Sequence, residues 1–151
     1  MKTIQHILFP VDLTESSEKM VPYVSAMAQK FEASLDVLFV VRIFQYFTSI
    51  YVPHPSIDIF EHELMEGGQK KMQEFTATHF ANLPRVNGKV VIGDPAETIL
   101  SYIEENKIDL VVMGTHGRKG LDRVIFGSVA ERVVKNSAAP VLVVNPHKTI
   151  D

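Results

Sequence analysis

Apolar residues along this chain fall into short dense runs, separated by stretches where they recur every third or fourth position. Ile4 to Val11 is such a run, ending at Pro10-Val-Asp12, and Thr14-Glu-Ser-Ser-Glu behind it supplies helix-capping side chains. Met20, Val24, Met27 and Phe31 then form one apolar stripe, which predicts a helix from about Ser17 to Phe31 with Pro22 in its first turn. Leu35 to Val41 is almost continuously apolar, as a strand covered on both faces must be, and that points to a parallel sheet.

The irregular segment Phe44 to Asp58, with Pro53 and Pro55, reads as a long connection. It is either a variable surface loop or a cover over part of a pocket. A charged helix is predicted from Ile57 to about Phe80, with Phe60, Leu64, Met72 and Phe75 on one side and Gly67-Gly68 weakening its middle. Lys89 to Ile92 is a third strand, Gly93-Asp-Pro95 a turn, and Ala96, Ile99, Leu100 and Ile103 the apolar face of a third helix. Asp109 to Met113 is a fourth strand. Ser128 is placed to cap a fourth helix with Ala130, Val133 and Val134 facing inward, and Pro140 to Val144 is the last strand.

Strands alternating with helices of this length predict an α/β fold: an open, doubly wound parallel sheet with helices on both faces. Ligands of such sheets sit beyond the carboxyl ends of the strands, where the strand order reverses. Asp12, Val40, Val41 and the glycines after the fourth strand all belong to that edge.

Composition narrows the function. A chain of 151 residues, 46% hydrophobic and 22% charged, has the size and balance of one globular domain, taken here as residues 1–151. It has no apolar run long enough to span a membrane and no secretory signal pattern, so a cytoplasmic protein is expected. The absence of cysteine excludes disulfides, thiol catalysis and thiolate metal sites. A net charge of −3 argues against a nucleic-acid binder. His6, His54, His62, His79 and His147 show no metal-ligand spacing, so no protein-built metal site is expected.

The stretch from Gly114 to Ser128 carries the functional signal. Glycines let backbone N–H groups approach an anion, and a helix start adds unpaired donors and about half a positive charge. Neither the Walker loop nor the Gly-x-Gly-x-x-Gly dinucleotide fingerprint occurs. The spacing present is Gly114-x2-Gly117-x9-Gly127-Ser128. At these residues the chain resembles the universal stress protein family, in particular the branch that binds ATP through a Gly-x2-Gly-x9-Gly-Ser/Thr loop. The likeness runs from Pro10-Val-Asp12 through Gly93-Asp-Pro95 to Ser137-Ala-Ala-Pro-Val-Leu-Val-Val144, and is weakest over 44–80.

The resemblance implies a Rossmann-like five-stranded sheet of order 3-2-1-4-5 and a homodimer paired through the last strand. It implies an adenine nucleotide, ATP or else ADP or AMP, with any Mg²⁺ bound mainly through the phosphates. Asp12 would bond the ribose hydroxyls, Val40 would offer backbone groups to the adenine edge, and Pro10 and Met113 would line base and sugar. Gly114, Gly117, Arg118, Gly127, Ser128 and Val129 would hold the phosphates. On the residues alone Asp12 is equally a helix cap, Gly114 and Gly117 turn residues, and Arg118, Lys119 and Arg123 either phosphate contacts or solvated cations. His116 reads as surface.

Donors are present but no general base is evident, so a nucleotide-binding regulator of the stress response with an unknown protein partner is expected, with slow or no hydrolysis. The alternatives are a weak ATPase or phosphotransferase, in which Arg118, Lys119 or His116 reaches the γ-phosphate, and a nucleotide-free scaffold of the same fold.

Overall fold

A computed structural model of the chain describes residues 1–42, 54–115 and 127–148. Five strands form one parallel sheet: β1 (His6–Val11), β2 (Ser34–Val41), β3 (Val86–Ile92), β4 (Leu110–Gly114) and β5 (Val141–Val144), in the order β3-β2-β1-β4-β5. Four helices are described: α1 (Glu15–Phe31), α2 (His54–His79), α3 (Pro95–Glu105) and α4 (Ser128–Asn136). Alternate strand residues serve opposite faces. Ile7, Phe9, Leu35, Val37 and Val112 pack with Met20 and Val24 of α1 and Met72 and Phe75 of α2. Leu8, Leu38, Val111 and Met113 pack with Ile99 and Ile103 of α3 and Ala130 and Val133 of α4. Burial on both faces is why these strands lack polar alternation.

Several boundaries differ from the periodicity. β1 starts at His6, because the N–H groups of Gln5 and His6 both donate to the Asp109 carboxylate, at 2.9 and 3.0 Å. α1 starts at Glu15, so Pro22 lies inside the helix rather than in its first turn, on an exposed position where a missing ladder bond is tolerated. Its buried stripe is Ser17, Met20, Val24 and Ala28, and Phe31 is 40% exposed.

α2 begins at His54, inside the predicted connection, with Pro55 in its first turn. Gly67 and Gly68 do not break it. A Cβ at Gly68 would come within 3.0 Å of Val90 Cγ1, so this glycine lets the helix approach the sheet closely. Phe60 is 40% exposed, and burial is concentrated at Met72 and Phe75. β3 begins at Val86, three residues ahead of the apolar run, because Asn87, Gly88 and Lys89 are exposed on an edge strand. In α4, Val134 faces outward at 43% exposure, and Gly127 rather than Ser128 occupies the N-cap.

Candidate functional site

Strand order reverses between β1 and β4, whose carboxyl ends lie side by side. The register pairs Leu8 with Val111, and two residues further along each strand are Pro10 and Met113. Val11 pairs with Phe39, so Val40 lies level with Asp12. Four of the expected residues are therefore brought to one edge by topology alone. Met113 is buried, while Pro10, Val40 and Gly114 are half-buried.

Asp12 is the most constrained of them. Its Oδ1 accepts from the Thr14 N–H at 3.0 Å, the Thr14 hydroxyl at 2.6 Å and the Ser17 hydroxyl at 2.8 Å. The Asp12 N–H in turn donates to Ser17 Oγ at 3.1 Å. Leu13 between them adopts a left-handed backbone with φ of 60°, a conformation costing a branched residue about 1 kcal/mol or more. That kink turns the Thr14 N–H back onto the carboxylate. Asp12 Oδ2 is shielded from solvent and has no hydrogen-bond partner among the described residues. A carboxylate oxygen left this way costs about 1 to 3 kcal/mol. Asp12 does not cap α1 through its side chain in the usual sense, since Thr14 holds the N-cap position and turns its own hydroxyl onto Asp12.

The first turn of α4 is tied to the carboxyl end of β4 through Gly127. The first helical bond runs from the Glu131 N–H to the Gly127 carbonyl at 2.9 Å, so the N–H groups of Ser128, Val129 and Ala130 have no intrahelical acceptor. Gly127 itself is spoken for: its N–H donates to the Thr115 carbonyl at 2.7 Å. A Cβ there would also lie 2.7 Å from that oxygen. The φ of −65° suits any residue, so close approach is what calls for glycine. Gly117 and Arg118, with His116, Lys119 and Arg123, lie outside the described residues.

Nearby, Asp94 caps α3 by accepting from the Glu97 N–H at 3.0 Å, and its carboxylate faces Arg132 of α4 at 3.3 Å and Arg42 at 3.9 Å. Among the described residues no group of three or more His, Asp or Glu side chains could hold a metal ion. No described helix is long and apolar enough to cross a membrane.

The family profile described as the universal stress protein family matches residues 3–145. The chain belongs to the universal stress protein family. The universal stress protein MJ0531 of Methanocaldococcus jannaschii is 33% identical over 145 residues, covering 94% of this chain and 82% of the relative. The solved structure of MJ0577, whose biochemical function was assigned from its structure, superposes with a TM-score of 0.84 at 26% identity, covering 99% of this chain and 100% of that one. Two more distant structures share the fold. One is a universal stress protein in complex with cAMP (TM-score 0.67, 21% identity, 96% of this chain and 99% of that one). The other is the Archaeoglobus fulgidus protein in complex with dAMP (TM-score 0.61, 14% identity, 95% and 98%).

The periodicity gave no role to three side chains that the structure brings together at the opposite edge. Asp36, 6% exposed in β2, accepts from the Tyr102 hydroxyl at 2.5 Å and lies 3.0 Å from His6 Nε2. His6 Nδ1 faces the Asn106 carbonyl at 3.1 Å. Burial, and then the Asp36 hydrogen bond and charge, push the Tyr102 hydroxyl well above the usual phenol range. A lone acid inside the apolar run Leu35-Asp-Val-Leu was the available signal, since buried carboxylates need partners. The roles of Thr14 and Ser17 were readable from Asp12-x-Thr14, the spacing at which an aspartate accepts from the N–H two residues on.

Proposed function

We propose that this protein is an adenine-nucleotide-binding member of the family's ATP-binding branch, whose occupancy is read by a protein partner, and that it works in the cytoplasm as a homodimer paired through β5. The observation that carries the reading is Asp12 Oδ2, a buried acceptor beside the strand-order reversal that lacks only a donor. A sugar hydroxyl supplies one. At the positive end of α4, which is tied to the carboxyl end of β4, the N–H groups of Ser128, Val129 and Ala130 suit phosphate oxygens. Gly127 would serve by proximity more than by donation, because its N–H already has the Thr115 carbonyl. Pro10 and Met113 would line base and sugar, and Val40 would offer backbone groups to the adenine edge. Gly114, Gly117 and Arg118 remain in the proposed phosphate set on the strength of the loop spacing. Any Mg²⁺ would be held mainly through the phosphates.

The relatives' ligands, cAMP and dAMP, support the choice of an adenine nucleotide without fixing the number of phosphates. The test is nucleotide retention and thermal stability. Mass spectrometry of protein purified under native conditions should release an adenine nucleotide, or else ATP with Mg²⁺ should raise Tm as ligand linkage requires. Asp12→Ala should weaken both, leaving less nucleotide retained and a smaller rise in Tm at the same ATP concentration. No retained nucleotide and no thermal response to ATP would leave the scaffold reading in its place.

A further inference from the structure

The way Asp12 is held goes further than its sugar contact. Oδ1 carries three donors, from the Thr14 N–H, the Thr14 hydroxyl and the Ser17 hydroxyl, against two lone pairs. It has nothing left to offer a ligand. Ser17 is itself 5% exposed and also accepts from the Asp12 N–H, so the clamp is fixed from both ends. Only Oδ2 remains, without a hydrogen-bond partner among the described residues.

A carboxylate with both oxygens open binds two neighbouring ribose hydroxyls, one to each, and loses a bond when either is missing. Two hydroxyls on adjacent ring carbons reach a single oxygen together only through bent bonds, which weaken steeply with angle. We propose that Asp12 is a one-oxygen sugar reader: the site demands one ribose hydroxyl and is indifferent to whether the 2′ or the 3′ position provides it. The inference rests on the nucleotide reading above and deepens it. It makes the pair Thr14 and Ser17 specificity-determining, because they occupy the oxygen that would otherwise tell ribose from deoxyribose.

The experiment is calorimetric titration of the full chain with ATP, 2′-deoxy-ATP, 3′-deoxy-ATP and 2′,3′-dideoxy-ATP. ATP and the two monodeoxy compounds should agree within about threefold, and the dideoxy compound should bind about tenfold or more weakly, the range of one hydrogen bond to a charged group. In Asp12→Ala all four should fall to the dideoxy value. A tenfold loss for either monodeoxy compound overturns the proposal, as does a dideoxy compound that binds like ATP. If ATP itself does not bind, the nucleotide reading fails and takes this inference with it, a result separate from a changed order among four binding ligands.

Discussion

Two residues whose environment is unusual give direct tests. Gly127 has an ordinary φ, so its replacement is penalised by space: a Cβ would sit 2.7 Å from the Thr115 carbonyl oxygen, a backbone atom. Gly127→Ala should cost about 1 to 3 kcal/mol in urea denaturation through this overlap. Because the displaced backbone leads into α4, affinity for the proposed nucleotide should fall with it. Tyr102 tests the buried cluster. Unfolded tyrosine loses its proton near pH 10, whereas Tyr102 in the fold stays protonated above that because it is buried and donates to Asp36. The unfolded state then binds fewer protons than the native one, so stability is complete below about pH 10 and falls as pH rises beyond it. The difference in ultraviolet titration between the chain and Tyr102→Phe should show Tyr102 forming phenolate only above the usual tyrosine range. Tyr102→Phe should lower stability at neutral pH by about 1 to 3 kcal/mol, and reduce the alkaline loss.

At the scale of elements, Asp94 separates two kinds of polar contact. Its side chain caps α3 through the Glu97 N–H, and the same carboxylate faces Arg132 and Arg42, whose side chains are about half exposed. A cap is worth about 1 kcal/mol, while an exposed ion pair is worth less and is screened by salt. Asp94→Ala should therefore lower Tm at any ionic strength, and the smaller effect of Arg132→Ala should vanish in high salt. The same distinction explains what the sequence made legible. Elements whose apolar residues are buried on both faces, such as Leu35 to Val41, announce themselves. Boundaries set by distant hydrogen bonds do not: β1 stops short of Ile4 because of Asp109, and β3 extends back to Val86 by pairing with Leu35. Helix faces were misjudged where the helix outruns its support, at Phe31, Phe60 and Val134. The carboxyl edge of the strands was legible because topology alone sets it, and Pro10, Asp12, Val40 and Met113 lie along it. The clamp on one oxygen of Asp12 and the partners of Asp36 depend on side-chain geometry, which no spacing encodes.

The whole molecule presents two sheet edges, and they differ in kind. β3 exposes Asn87, Gly88 and Lys89, a polar, charged edge of the sort that resists pairing. β5 is Val141-Leu-Val-Val144, every residue half-buried, with strand pairing on the β4 side alone among the described residues. In a parallel ladder the N–H and C=O of one residue point the same way. The carbonyls of Pro140 and Val144 accept from Val111 and Thr115 of the β4 segment, so even-numbered residues address β4 and the N–H groups of Val141 and Val143 point outward. Antiparallel pairing of β5 with its copy would use those groups and close the assembly with two-fold symmetry. Val143→Pro is then a selective test. It removes an outward donor without touching the bonds to β4, and proline is accepted on an edge strand. Light scattering should show the proposed dimer of the unaltered chain giving way to a monomer whose circular dichroism is unchanged. Leu142→Pro, which deletes a donor facing β4, should instead unfold the edge. A Val143→Pro chain that still dimerises would move the interface elsewhere on the molecule.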